Sequence, residues 1–554
     1  MTTFDHPDAI IVGSGAGGGT AARALTERGL RVVVLERGPR RGAEDFLPYD
    51  ELSVYGHRSL LPKVADDPMV YIDPVTGNPQ KVERWWVTNM VGGATMIWEA
   101  NVPRYTEEDF AVTKYLDLAS FPDPGGVSMV DWPWTYQEFH PYFERAEWEW
   151  GVSGRARQCA QQEPVRDGYE YPMPPIRSHS SAPFLIEAFG KAGMTPYFSA
   201  RAINSQTHGG RPACPFCGYC QGYGCAVNDR ASSTNTVLAR ALDTGLCDVR
   251  PGHYVTRLHH EKGAIKGVFY KTEPNGIERF LGAPKVFVSV QAIESARLFL
   301  LSEIPDPNKL IGRYLTYHTK GSAELTFKGK PPWDEGADRR YQPKTALGSL
   351  QLRDLYLIDD KNTFLRKGGK FSIYDPYTVL PPIRMVKEAA GHDGKPLWGR
   401  SLTDRLGALR SSAGVSFSFT GETISHHDNR VELDPDVRDP WGVPVSRTYY
   451  KHHAYDLALS RYALEKVAQI MVDAGAELDS LRPQELANKG YGHVHGTLRA
   501  GKDPGSSVLD ADCQSHTVKG LYVLDAAFMP TAGASNPTLT QIANAYRVCE
   551  KVPA

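Results

Sequence analysis

The chain has 554 residues, 41% of them hydrophobic and 23% charged, and its 62 Lys and Arg against 64 Asp and Glu leave a net charge of −2. Composition this close to ordinary globular usage excludes a disordered chain or a coiled coil, and the even charge balance argues against nucleic acid or an anionic membrane as the partner. At roughly 150 residues per domain the length allows up to about four units, although α/β enzymes often wrap long insertions around one core.

The first residues, MTTFDHPD, run straight into an apolar stretch and leave no room for a charged-then-apolar signal sequence. Arg40-Arg41 follows the first structural unit and is a twin arginine by letters only. No uninterrupted apolar run reaches the roughly 18 residues of a membrane helix. A cytoplasmic protein is the expectation, with export alongside a signal-bearing partner as the other route.

Residues 8–12 (Asp-Ala-Ile-Ile-Val) predict a short buried strand. Gly13-Ser14-Gly15-Ala16-Gly17-Gly18-Gly19 follows, then a helix from Thr20 that Gly29 ends, then a second buried strand over 31–36 that finishes on Glu36. Gly13, Gly15 and Gly18 make G-x-G-x-x-G, and Glu36 lies 23 residues past the first glycine. Gly13 allows the tight turn, Gly15 lets a pyrophosphate approach the backbone, and Gly18 lets the helix pack on the strand. The helix start offers free N–H groups and the positive end of its dipole, while Glu36 can accept from a ribose hydroxyl. Strand, glycines, helix, strand and acid in order predict a dinucleotide site; the pattern alone leaves FAD and NAD open.

Of eight cysteines, Cys214, Cys217, Cys220 and Cys225 fall within twelve residues as C-x2-C-x2-C-x4-C. Close spacing of this kind resembles ferredoxin-type iron–sulfur ligation. Zinc also accepts four thiolates but is usually held by two separated knuckles, and disulfides within so tight a loop are strained. The iron–sulfur reading leads, with zinc and free or disulfide-bonded cysteines behind it.

The C-terminal part carries His493-Val494-His495-Gly496-Thr497, then Asp503-Pro504-Gly505, then Gly520-Leu521-Tyr522-Val523-Leu524-Asp525-Ala526, and finally Ser535-Asn536-Pro537-Thr538-Leu539-Thr540. Together with the N-terminal fingerprint, Val91-Gly92-Gly93-Ala94-Thr95-Met96-Ile97-Trp98 and the stretch from Val286 to Leu298, these motifs resemble the glucose–methanol–choline (GMC) oxidoreductases, a family of FAD-dependent alcohol and sugar oxidoreductases. The resemblance runs from about residue 8 to residue 548. It implies an α/β fold in which a Rossmann-like FAD-binding domain (1–110, 205–315 and 485–554) is intertwined with a substrate domain on an antiparallel sheet (111–204 and 316–484). It also implies that Gly13, Gly15, Ala16, Gly18, Glu36, Arg37, Gly92, Gly93, Thr95, Val255, Asp525, Ala526, Pro537 and Thr538 contact the flavin cofactor. Related pyranose oxidases attach flavin through a histidine where this chain has Ile97, so FAD is expected to be noncovalent. Gln291 stands where many relatives have glycine.

Alcohol oxidation removes a hydroxyl proton and a hydride from one carbon. The flavin takes the hydride, so the protein needs a proton acceptor, a task that suits histidine with its pKa near working pH. The resemblance gives this role to His493 and makes Asn536 the partner that orients the substrate oxygen. Asn536-Pro537-Thr538 also reads as a helix start, capped by Asn536 with Pro537 at the first helical position, its N-terminus aimed at the flavin. His495 and His318 read as hydrogen-bonded structural residues, with His318 the nearer candidate for the site. The cysteine-rich run resembles that of the gluconate and glucoside-3-dehydrogenases, some of which carry a three-iron cluster. It implies one-electron transfer onward to a cytochrome or quinone, with a small partner subunit.

The expected function is therefore FAD-dependent oxidation of a secondary hydroxyl of a sugar, glycoside or sugar acid. A pyranose-oxidase-like enzyme making hydrogen peroxide is the alternative, and a redox-inactive flavoprotein with a zinc-stapled docking surface is the reading from another class. The pairs Trp132 with Trp134 and Tyr449 with Tyr450 read mainly as core, though such faces can also stack on sugars.

Overall fold

A computed structural model describes residues 3–46, 63–65, 67–82, 87–118, 121, 123–178, 181–217, 220, 222–328, 333, 350–374, 396–410, 413–487 and 492–553. The apolar run after Asp8 is a strand, Ala9–Val12, with every residue buried. It lies in the middle of a five-stranded sheet in the order Leu521–Val523, Val286–Val288, Ala9–Val12, Val32–Glu36, Cys247–Pro251. Every neighbouring pair is parallel. Such strands are covered on both faces, so they read as continuous Val, Ile and Leu runs rather than as alternation.

The first helix spans Ala16–Glu27 and starts one turn earlier than the sequence suggests. The glycines belong to its first turn because side chains do not fit there. A Cβ on Gly18 would stand 2.0 Å from the Gly13 carbonyl oxygen. The helix packs against Val237–Asp243 and Thr538–Lys551.

A second sheet has six strands in the order Glu477–Pro483, Thr319–Phe327, Ala413–Gly421, Gly369–Tyr374, Leu350–Leu352, Tyr197–Phe198. All its pairs are antiparallel. Alternation along these strands divides the sheet into two chemistries. Ala323, Leu325, Phe327, Phe371, Ile373, Val415, Phe417 and Phe419 form one core cluster with Leu459, Leu464, Val467 and Met471 of the helix Ala454–Asp473. Each such buried side chain contributes roughly 1.5–3 kcal/mol, which holds helix to sheet. On the opposite face the register aligns Lys320, Thr420 and Lys370 in one row and Ser322, Ser418 and Ser372 in the next.

Among the described residues three smaller sheets accompany these two, one of them the antiparallel strands Tyr254–Glu261, Ala264–Lys271 and Arg279–Gly282. Met69–Ile72 and Pro79–Val82 complete a four-stranded sheet with Pro444–Tyr449 and Arg430–Arg438. A two-stranded antiparallel ladder pairs Thr316–Tyr317 with Val494–His495. Among the described residues no helix is long and apolar enough to cross a membrane.

Candidate active site

The carboxyl ends of the parallel strands and the hydroxyl-bearing face of the antiparallel sheet line one cavity of about 1010 Å³. That is at the upper end of the roughly 300–1,000 Å³ of small-molecule sites, and its place matches the ligand crevice of doubly wound sheets. Of the residues expected to contact cofactor or substrate, Gly13, Gly15, Ala16, Glu36, Arg37, Gly93, Thr95, Val255, His493, Asp525, Ala526, Asn536, Pro537 and Thr538 line it. Gly18 and Gly92 stand one layer back. Gly18 packs on Gly13, and the Gly92 N–H donates to Ser14 Oγ at 2.9 Å.

At the nucleotide end, Gly13 has φ +91° and Gly15 precedes the helix with no protein atom within 4 Å of where its Cβ would be. Open space beside the first helical N–H groups is what a pyrophosphate requires. Glu36 is buried, and its carboxylate accepts from Ser14 Oγ at 2.7 Å and from the Gly38 N–H at 2.9 Å. Burial raises its pKa above the usual carboxylate value. Arg37 is paired with Asp67 at 2.7 Å. Asp525 accepts from the Val290 and Ala527 N–H groups, both at 2.9 Å, and so ties two strand ends together under the cavity floor. Thr95 Oγ1 is engaged with the Gly92 carbonyl at 2.6 Å and the Ser233 N–H at 2.9 Å. The buried Ser289 hydroxyl, which lines the cavity, has no partner among the described residues. An open glycine cradle, a helix start and an orphaned hydroxyl fit the phosphates and ribose of a bound dinucleotide.

At the other end, His493 has φ +67°, a left-handed conformation that is uncommon outside glycine and clusters at functional sites. Its loop is pinned by Thr497, whose Oγ1 donates to the Ala292 carbonyl at 2.7 Å. His493 Nε2 lies 3.1 Å from Asn536 Nδ2, so the expected pair meets. Asn536 Oδ1 accepts from Asn101 Nδ2 at 3.3 Å. The helix that follows begins at Thr538, with Pro537 at its cap position and no side-chain cap. This corrects the reading of Asn536 as the capping residue: its amide is committed to His493 and Asn101.

Two further side chains reach the other imidazole nitrogen. His318 Nδ1 is 2.9 Å from His493 Nδ1, and Lys320 Nζ is 3.2 Å from it. Burial, then the positive charge of Lys320, holds His493 well below the ordinary histidine value. His318 is likewise held well below it by burial and by its histidine neighbours. Burial and Lys320 push His495 down to about 3, and burial alone brings Lys320 down to about 8. The centre is therefore a set of neutral imidazoles under one lysine. Spacing along the chain does not reveal these partners, because His318 and His493 are 175 positions apart. Nor does Lys320 stand out locally, because its strand Thr319–Phe327 also carries Ser322, Glu324 and two threonines.

The cysteine loop does not bear out the metal expectation. Cys214 and Cys220 are buried, Cys225 is half-buried and Cys217 is exposed. A left-handed Phe216, φ +57°, reverses the chain between the first two. Cys214 Sγ accepts from the Phe216 N–H at 3.4 Å, and Cys225 Sγ donates to Asp229 at 3.5 Å. Burial raises the Cys220 thiol to about 12 and Cys214 higher still. Among the described residues no three His, Cys, Asp or Glu side chains converge as a metal site. The described residues therefore give no support to an iron–sulfur or zinc centre. Trp132 and Trp134 are core residues, packed edge-on against each other and against Phe528. Tyr450 is also buried, and Tyr449 lies under the Arg430 guanidinium at 3.7 Å.

Comparisons with known proteins agree with this geometry. The N-terminal GMC oxidoreductase family model matches residues 125–320 and the C-terminal one residues 425–545, while an NAD(P)-binding Rossmann-like model matches residues 11–44. The 2-methyl-1,2-propanediol dehydrogenase of Mycolicibacterium austroafricanum is 27% identical over 99% of this chain and 95% of its own length. The gluconate 2-dehydrogenase flavoprotein of Pantoea cypripedii is 24% identical over 96% of this chain and 91% of its own. Among solved structures, a formate oxidase of Aspergillus oryzae superposes with a TM-score of 0.65 at 16% identity, covering 99% of this chain and 98% of the other.

Proposed function

The chain belongs to the GMC oxidoreductase family, which makes it an enzyme acting on alcohol groups, and from that premise we propose that it oxidises a secondary hydroxyl of a sugar, glycoside or sugar acid to the ketone. One observation carries the reading: the His493–Asn536 pair stands in the same cavity as a wall of Lys320, Ser322, Ser372, Ser418 and Thr420. A surface of hydroxyls and one amine at every second strand position suits a ligand with several hydroxyls, whereas an aliphatic alcohol would leave those groups unpaired at a cost of about 1–3 kcal/mol for each one buried.

FAD would be held by the Gly15 cradle and the start of the helix at Thr538, and when bound would supply the hydride acceptor. The protein does the rest. Asn536 Nδ2 donates to the substrate oxygen and fixes its direction. His493 Nε2 takes the hydroxyl proton as the carbon–hydrogen bond breaks, so one proton and one hydride leave one carbon. Because burial and Lys320 keep His493 neutral, it is in its accepting form at neutral pH. Electrons leave to an external acceptor in this reading, as the dehydrogenase names of two of the full-length relatives suggest, although others of that length are named oxidases. No step passes through the cysteine loop.

The test is anaerobic mixing of the flavin-loaded protein with glucose, a methyl glucoside, gluconate and simple aliphatic diols, following loss of flavin absorbance. Bleaching by the polyhydroxylated compounds, with a product two mass units lighter, supports the proposal. Bleaching by the diols alone would refute the substrate class, and rapid oxygen uptake during turnover would replace the dehydrogenase by an oxidase.

A further inference from the structure

Resting on the reading of His493 as the base, we infer that His318 is a positioning residue that fixes the tautomer of His493, so that the lone pair of Nε2 faces the substrate. The argument begins at a backbone carbonyl, which can only accept. His318 Nε2 lies 3.0 Å from the Ala532 oxygen, so that nitrogen carries a proton. His318 is wholly buried and uncharged, and a neutral imidazole with a proton on Nε2 has only a lone pair on Nδ1. The group 2.9 Å from that lone pair is His493 Nδ1, which must therefore donate. With its proton on Nδ1, His493 keeps an unprotonated Nε2 on the cavity side, where it accepts from Asn536 Nδ2 until a substrate hydroxyl takes that place.

The other side of the ring agrees. Gln351 Nε2 donates to Asn101 Oδ1 at 2.8 Å, Asn101 Nδ2 donates to Asn536 Oδ1, and Asn536 Nδ2 is left facing His493 Nε2. An amide N–H needs an acceptor there, and the Nδ1–H tautomer provides one. Two chains from different parts of the fold thus assign the same proton position. The fold supplies the first by pairing Thr316–Tyr317 with Val494–His495, which brings His318 and His493 to the same end of one short ladder.

Lys320 makes the tautomer worth fixing. Its Nζ is 3.2 Å from the same Nδ1, and as an ammonium it would donate there if that nitrogen were bare. His493 would then carry its proton on Nε2, pointing at a hydroxyl it could no longer deprotonate. His318 competes with that outcome by accepting from Nδ1, and Lys320 keeps Thr420 Oγ1, at 2.8 Å, as its acceptor. In the reaction the substrate proton arrives on Nε2 and the Nδ1–H stays in its bond to His318, so no second proton has to move.

The experiment uses the flavin-loaded full chain labelled with 15N-histidine, with the His493 signals identified by their loss in His493→Ala. The expected wild-type spectrum shows His493 protonated at Nδ1 and bare at Nε2. His318→Phe, which cannot accept, is expected to move that proton to Nε2 and to slow flavin reduction by about 100-fold or more, within the range of general-base contributions, with KM changed little and flavin content unchanged. His318→Gln can accept from His493 and donate to Ala532, and is expected to restore both the Nδ1–H spectrum and most of the rate. A wild-type spectrum with the proton on Nε2 overturns the inference, and so does a fully loaded His318→Phe protein that reduces at the wild-type rate. If His318→Phe does not fold, the wild-type and His318→Gln spectra still decide. If no alcohol reduces the flavin while the wild-type spectrum shows Nδ1–H, it is the proposed reaction that fails, and the assignment of the proton stands.

Discussion

Lys320 Nζ sits 3.2 Å from His493 Nδ1, with Thr420 Oγ1 as its other polar neighbour and no carboxylate bonded to it among the described residues. A buried lysine against the proposed base acts on that base as a like charge: it disfavours the imidazolium and keeps the imidazole ready to accept a proton. The relationship comes from strand register, since Lys320 shares a row with Thr420 and Lys370 on the face turned to the cavity.

The pH profile should report this directly. His493 must be neutral to act, and its value in the folded protein is lowered, so flavin reduction should persist well below pH 6.5 and fall only as pH drops through that lowered value. Replacing Lys320 by Met removes the positive charge and raises the His493 value. The acidic limb should then move to higher pH by on the order of one unit. Reduction rates of both proteins across the acid range provide the check, and an unmoved limb would mean that Lys320 does not act on His493.

Two glycines of the fingerprint should separate cofactor binding from folding. A Cβ at Gly15 meets no protein atom within 4 Å, whereas one at Gly18 would meet the Gly13 carbonyl at 2.0 Å. Gly15→Ala should keep the fold within about 1 kcal/mol of wild type and lose flavin, because the methyl occupies the space of the pyrophosphate. Gly18→Ala should cost about 3 kcal/mol or more, since backbone cannot yield as a side chain can. Denaturant midpoints of the two apoproteins, with bound flavin per chain, test the contrast; equal midpoints would refute it.

The nucleotide end was legible in the sequence because its parts are consecutive. Strand, glycines, helix and Glu36 lie within one stretch, and each conformation follows from local residue types. The reactive end was legible only where a family motif covered it, at His493 and Asn536. His318 was legible only as a residue near the site, and Lys320 and Asn101 escaped notice, because strand register and the left-handed turn at His493 are what bring residues so distant in sequence together. The cysteine loop is the converse case. Four thiols close in sequence suggest convergence, but the turn at Phe216 leaves Cys217 exposed while Cys214 and Cys220 are buried.

That loop makes its own prediction. Purified without oxygen damage, the protein should hold flavin with far less than one iron and one sulfide per chain. Cys217→Ser, at the exposed position, should leave flavin content and the rate of flavin reduction within about twofold of wild type, as is usual for a surface substitution. Three or four irons per flavin, lost together in that variant, would restore the cluster and require the loop to rearrange around it.

Behind Asn536 lies a buried charge network that sets where its loop can sit. Lys367 Nζ is 2.7 Å from Asp109 and 3.3 Å from Glu422, and all three are fully buried. Asp109 also accepts from Tyr356 OH at 2.7 Å and from the Ala534 N–H at 3.2 Å, two residues before Asn536. Lys367 holds Asp109 below the usual carboxylate range, while burial and the neighbouring Asp109 charge keep Glu422 above it. Lys367→Met would leave two buried carboxylates without their cation, and breaking a buried pair from one side costs about 3–5 kcal/mol. The sign of its pH dependence follows. With the lysine gone, Glu422 loses its lowering partner and its folded value stays above the unfolded one, so the folded state binds an extra proton and the variant should regain stability as pH falls toward 4.5. Wild type should gain less, because only Glu422 has a raised value there, and Asp109, held low by Lys367, gives up its stabilisation only at still lower pH. Denaturant titrations of both proteins at neutral and mildly acid pH test this, and a deficit that does not shrink with acid would show that the carboxylates have found water or another cation. Flavin reduction in the variant should slow as well, because the backbone anchor of the Asn536 loop is the same Asp109 carboxylate that Lys367 holds in place.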